Sequence, residues 1–181
     1  MEMCAGLPSV SELIELPAAV SLSLVISLDG QLVGPDQSSR SISGPEDLDW
    51  LRRLRASSDI IVVGAATAEA EGYRPIRVRQ EFAAAREAAY MPEHPETLVV
   101  RRSDDISSIL RPGRSRVLLE AGVRLHTALA ASVDRVWLSH SPTMVGDVDA
   151  AFAFPLESFH LVSRHLGAEF VVSRFERINP R

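Results

Sequence analysis

The sequence predicts one α/β domain on a mixed, mainly parallel sheet, and three observations predict it. Short apolar strands alternate with helical stretches from residue 20 to about residue 140, the order of repeated β-α units. Residues 159–165 and 169–177 then alternate at period two around Gly167, which predicts a closing antiparallel hairpin. The length, 181 residues, is enough for one sizeable core and short for two.

The elements follow in order. Residues 1–19 read as a leading arm, in which 11–16 form a helical turn that Pro17 stops. Val20 to Leu28 begins in alternation and becomes continuously apolar, which suits a strand buried over most of its length, and Asp29-Gly30 ends it as a turn. Residues 31–41 are rich in serine, glycine and proline and read as a loop. Ser43-Gly44-Pro45-Glu46 has the S-x-x-E spacing of a capping box, with proline tolerated in the first turn. The helix it opens carries Leu48, Leu51 and Leu54 on one face, widened by Trp50, with Arg52, Arg53 and Arg55 near its negative end.

Asp59-Ile60-Ile61-Val62-Val63-Gly64 reads as a buried parallel strand, and 65–71 as a short helix stopped near Gly72. Residues 77–91 are amphipathic, with Val78, Phe82, Ala85 and Ala89 on one side. Strands are expected over 97–101, 116–120 and 134–140, a helical turn over 105–110, and a helix over 123–131.

Composition excludes several functions. The net charge is −5, and the basic residues are spread along the chain rather than massed, which argues against a nucleic-acid surface. Cys4 is the one cysteine, so no disulfide forms within the chain, and the five histidines lack metal-ligand spacing. No metal is expected, and a reducing, cytoplasmic setting fits. Residues 1–10 lack a secretory pattern, and residues 20–28 are far too few to span a bilayer. No G-x-S-x-G marks a hydrolase nucleophile.

Ligands of such sheets bind beyond the carboxyl ends of the strands. Three ends stand out: Asp29-Gly30, Gly64-Ala65-Ala66-Thr67 and Glu120-Ala121-Gly122. If the strands are parallel, all three face one crevice. Glu120, at the end of an apolar strand, is partly dehydrated there, which suits it to proton donation or to gripping sugar hydroxyls, or equally to capping a helix or forming a salt bridge. Asp29 either orients a substrate or simply makes the tight turn that Asp-Gly favours.

Several segments resemble one family. Ser27-Leu28-Asp29-Gly30 is similar to the S-L-D-G segment of the reductase domain of bifunctional riboflavin-biosynthesis deaminase/reductases. Residues 41–47, then Leu54-Arg55-Ala56 with Asp59, resemble the family's next block. Val63-Gly64-Ala65-Ala66-Thr67 resembles its V-G-A-G-T, residues 70–73 an A-E-G-Y variant of actinobacterial type, and Leu119-Glu120-Ala121-Gly122 stands where the family has E-G-G. The blocks keep order and spacing from about residue 20 to residue 146.

The resemblance implies a dihydrofolate-reductase-like fold over residues 1–181 and a pyrimidine reductase that takes NADPH. It implies hydride delivery to C1′ of a phosphoribosylamino-pyrimidinone or a related small-molecule substrate, in a homodimer. The alternative is a relative that has lost catalysis and serves as a ligand-binding or dimeric scaffold. By the same resemblance Asp29 and Glu120 are the candidate catalytic residues, and Ser39, Arg55 and Glu120 hold the substrate. Ser41, Ser43, Gly64, Ala65, Thr67, Glu71, Ala121, Gly122, Val123 and Arg124 are the candidate cofactor contacts.

Overall fold

The computed structural model describes residues 1–70, 72, 74–101, 104–106, 110, 115–120, 123–146 and 152–179. Among these, eight strands form one sheet: β1 (Glu2–Ala5), β2 (Val20–Ile26), β3 (Ile60–Gly64), β4 (Glu96–Val100), β5 (Val117–Glu120), β6 (Arg135–His140), β7 (Phe159–Leu166) and β8 (Val171–Arg177). Their order across the sheet is β1-β7-β8-β6-β2-β5-β3-β4. β8 runs antiparallel to β6 and β7, and the other pairings are parallel. The mixed sheet and its closing hairpin are those the sequence predicts.

The strands bury both faces, and alternation sorts their side chains. Leu22, Val62, Leu119 and Val136 belong to one core, with Leu125 and Leu129 of α5 (Val123–Leu129) packed against it. Ile61, Val63, Leu118 and Trp137 belong to the other, which also takes in Trp50 and Leu54 of α2 (Pro45–Ala56) and Leu13 of α1 (Val10–Glu15). Trp50 and Trp137 meet edge to face, ring centroids 5.1 Å apart. α3 (Ala65–Ala70) follows β3 directly. Val78, Phe82, Ala85 and Ala89 pack against Val10, Ile14 and Ala56, so α4 (Gln80–Ala88) and its flanks bury the face their periodicity predicts.

Three expectations are corrected. Residues 2–5 of the leading arm form β1, paired in parallel with β7. Gly44, not Ser43, is the N-cap of α2, without a side-chain cap; the chain's reciprocal capping box lies at Ser9 and Glu12, where α1 begins. Ser43 and Glu46 are diverted to other partners, as described below. Leu48 is exposed and is not part of the α2 core face, because Trp50 and Leu54 set that face. Of the turn expected over 105–110, residues 107–109 lie outside the described residues, and the Leu110 N–H donates to the Ile106 carbonyl at 3.1 Å.

Candidate functional site

β2 pairs with β5 only through Val20–Leu22, yet with β6 through Ser21–Ile26. Among the described residues, no strand pairs with Ser23–Ile26 on the side of β5. At this gap lies a cleft of about 600 Å³, with Ser23, Leu24 and Val25 on its wall. Ala66 and Thr67 after β3 and Glu120 at the end of β5 also line it. Two of the three strand ends singled out in the sequence thus converge.

The third does not. Neither Asp29 nor Gly30 lines the cleft; β2 presents Ser23–Val25 there instead. The Asp29 carboxylate accepts the Ser27 hydroxyl at 2.6 Å and the backbone N–H groups of Val145 at 3.2 Å and Gly146 at 2.7 Å. The Ser27 hydroxyl, then the Gly146 N–H, hold its pKa down to about 2. Asp29 thereby fastens the end of β2 to the loop after β6.

The opposite wall is α2. Asp47, Leu51 and Arg55 all face the cleft, four residues apart, which on a helix makes one stripe, and Ser43, just before the helix, also lines it. Arg55 and Glu120 meet as a two-pronged ion pair: Nε donates to Oε1 at 2.6 Å and Nη2 to Oε2 at 2.5 Å. Their side chains are 18% and 11% exposed, so water screens the pair weakly.

Asp47 was not among the candidates drawn from the sequence. The Ser43 hydroxyl donates to its Oδ2 at 2.5 Å. Burial raises its pKa above the ordinary aspartate value, opposed by the hydroxyls of Ser43 and Ser139. Asp47 also borders a second cavity of about 440 Å³, shared with Ser41, Gly44, Thr143, Glu169 and Phe170. The stripe of spacing four was the signal that finds Asp47, but the S-x-x-E pattern drew attention to Ser43 and Glu46 alone.

A loop from Asp36 to Arg40 closes the rim. Asp36 accepts from Ser38 N at 3.0 Å and from the Ser41 hydroxyl at 2.7 Å, and these bonds, the Ser41 hydroxyl foremost, hold its pKa below the ordinary value. Ser39 lines the cleft; Ser41 is turned into the loop and borders the second cavity. Gly64 ends β3 under Leu125 of α5, where an added Cβ would come within 3.2 Å of Leu125 Cδ2. Ala65 opens α3 beside it. Glu71, Ala121 and Gly122 lie outside the described residues, and Val123 and Arg124 form the first turn of α5. Buried His126 lines the cleft and meets Phe154 with the ring planes 72° apart and the centroids 6.0 Å apart.

Among the described residues no group of His, Cys, Asp and Glu is arranged to hold a metal ion. No described helix is long and apolar enough to cross a membrane.

Residues 18–111, more than half of the chain, match the model of the RibD C-terminal domain. The chain belongs to that family. No curated protein matches the sequence. A pyrimidine reductase-like protein from Corynebacterium diphtheriae superposes with a TM-score of 0.75 at 16% identity, covering 96% of this chain and 100% of its own. A diaminohydroxyphosphoribosylaminopyrimidine deaminase/5-amino-6-(5-phosphoribosylamino)uracil reductase from Thermotoga maritima gives 0.63 at 15% identity. That match covers 89% of this chain but 57% of the longer protein. A dihydrofolate reductase from Enterococcus faecalis, complexed with NADP(H), gives 0.68 at 12% identity, covering 91% of this chain and 100% of its own. The RibD-family chain therefore has the dihydrofolate-reductase-like fold.

Proposed function

We propose that this chain is an NADPH-dependent oxidoreductase that reduces a phosphoribosylamino-pyrimidinone or a related compound by hydride transfer. Membership of the RibD C-terminal domain family supports a reductase of this kind. The observation that carries the reading is Asp47, a dehydrated carboxyl group on the wall of a cleft at the point where β2 and β5 part. Reduction of a C=N bond needs a hydride on carbon and a proton on nitrogen, and a carboxyl group whose pKa burial raises keeps its proton to higher pH than an exposed one, which suits it to that transfer.

The residues present fit the cofactor. Beside Ser23–Ile26 no described strand pairs on the side of β5, which leaves room for a flat ring, and Thr67 lines the same cleft. When bound, NADPH supplies the hydride from its dihydronicotinamide ring. Thr67 and Ser43, with the segments around Gly64-Ala65, Glu71 and Ala121-Gly122-Val123-Arg124, are the residues that would hold it. Ser39, Arg55 and Glu120 grip the substrate. Asp47, whose pKa burial raises, is the group that passes a proton from its carboxyl oxygen to the nitrogen next to the reduced carbon. Asp29 acts at a distance, by fixing the end of β2 against the loop after β6.

The reading extends to a homodimer working in the cytoplasm, as the resemblance of the sequence implies. Titration of the purified protein with NADPH, followed by cofactor fluorescence with NADH for comparison, tests the function. Saturable micromolar binding that favours NADPH is expected. No binding at millimolar cofactor would sink the proposal.

A further inference from the structure

Asp47 must recover a proton after each reduction, and the fold places a second cavity beside it. Ligands that fill a reductase cleft exclude water from the face of the proton donor that meets them. Val25, Ser43 and Asp47 line both the cleft and the second cavity of about 440 Å³. A water molecule takes about 30 Å³, so several fit there. Ser41, Pro142 and Glu169 on its lining are exposed, so the cavity communicates with bulk water. Hydroxyls lead into it from Asp47. Those of Ser43 and Ser139 bond the Asp47 carboxyl. Ser141, two residues beyond Ser139, continues the ladder of β6 through its N–H to the Ile26 carbonyl at 2.8 Å, so the two serines share a face. Ser141 and Thr143 line the cavity, and the Ser141 hydroxyl donates to that of Thr143 at 3.0 Å. Ser139 and Ser141 are 1% and 5% exposed, positions that apolar side chains ordinarily fill.

We propose that the second cavity is the proton inlet of the site: water held by Ser141 and Thr143 reprotonates Asp47 from behind while the cleft is occupied. The proposal rests on the reading of Asp47 as the proton donor. In each turnover Asp47 gives one proton to the substrate nitrogen. Its carboxylate takes one back from an adjacent hydroxyl or water, which accepts one in turn from the next water, and the last proton comes from bulk solvent. A hydroxyl both accepts and donates, so it passes a proton on without net change. One proton enters per turnover, and no oxidant or reductant is needed beyond the hydride donor. Ser141 and Thr143 act through Asp47 and are positioning residues.

The test measures turnover of 5-amino-6-(5-phosphoribosylamino)uracil with NADPH in H₂O and in D₂O, on the whole chain, for the wild type, Thr143→Val and Thr143→Ser. Valine keeps the shape of Thr143 and both of its backbone hydrogen bonds, to Ser141 Oγ and from the Leu28 N–H, and removes only the hydroxyl. In Thr143→Val kcat is expected to fall about tenfold, less than on removal of the proton donor itself, with a larger solvent isotope effect and an unchanged KM. Thr143→Ser, which restores the hydroxyl, recovers the wild-type values. Carbon-13 NMR of the Asp47 carboxyl in the cofactor-free protein, identified by its loss in Asp47→Asn, should show the same titration in Thr143→Val, because both hydroxyls bonded to Asp47 remain. Thermal unfolding checks each variant, and Ser141→Ala replaces Thr143→Val if the latter does not fold, with the same fall in kcat expected. An unchanged kcat and isotope effect, a loss that serine does not repair, or a shifted Asp47 titration would overturn the inlet and leave the cleft as the path by which Asp47 regains its proton. Wild-type turnover with indifferent variants overturns the inlet alone; a wild type that neither binds NADPH nor turns over overturns the proposed function and the inlet with it.

Discussion

The carboxylate of Glu46 stands where a side chain on Gly167 would have to go. A Cβ on that glycine would lie 2.8 and 2.9 Å from the two Glu46 oxygens. Those oxygens accept the N–H groups of Ala168 at 2.9 Å and Glu169 at 2.8 Å, clamping the β7–β8 turn to the first turn of α2, next to Asp47. Gly167→Ala therefore expels the carboxylate and costs about 1 kcal/mol. Urea denaturation measures the loss, and amide exchange at Ala168 and Glu169 locates it. Unchanged exchange there would mean that the clamp does not restrain the turn.

Asp47→Asn is expected to separate stability from activity. Folding raises the pKa of Asp47, so its contribution to stability is present below the unfolded value, ordinarily 3.8, and is lost as pH rises through the folded value. Above the folded value the wild type bears the cost of a dehydrated carboxylate, and asparagine does not. The Tm advantage of the variant should widen from pH 4 upward, while kcat falls about a hundredfold or more. A variant that is less stable at pH 7 and fully active would remove Asp47 from the mechanism.

Asp29 has the opposite sign. Its folded pKa, about 2, lies below the ordinary value of 3.8, so its stabilisation is complete above the unfolded value and is lost as pH falls through the folded one. Asp29→Asn should lower Tm at pH 7, with a gap to the wild type that narrows between about pH 4 and pH 2. Scanning calorimetry across that range reads the gap, and a constant gap would contradict the assignment. The variant should also loosen the backbone amides of Val145 and Gly146.

Trp50 is fully buried and meets Trp137 across the interface of α2 with the sheet. Trp50→Ala should cost about 3–5 kcal/mol, because truncation leaves a cavity beneath the helix that carries Asp47 and Arg55. Denaturant unfolding gives the cost. Trp50→Phe, which refills most of the volume, should recover more than half of it.

Much of the fold was legible because it follows from periodicity. The run of alternation around Gly167 became β7 and β8, and the apolar run before Gly64 became β3. β1 was not legible: its four residues are largely exposed at the sheet edge, so no buried face imposes a pattern. The site was half legible. The ends of β3 and β5 are marked by apolar runs that stop at small or polar residues, so Thr67 and Glu120 could be placed. Arg55 and Glu120 are 65 residues apart, and nothing local announces their pairing. Ser43 and Glu46 carried the spacing of a capping box, but the Ser43 hydroxyl donates to Asp47 instead, and the hairpin turn offered Glu46 two donors.

β1 has a consequence for the order of events during synthesis. It leaves the ribosome ahead of the other strands, yet its hydrogen-bonding neighbour is β7, among the last to emerge. While β2 to β5 gather their partners, that N-terminal ribbon must wait as an unmatched edge, and it closes the sheet only after the C-terminal hairpin arrives. A fusion at the N-terminus would therefore burden a late step of maturation, and it would act on assembly of the sheet border before it touched the cleft.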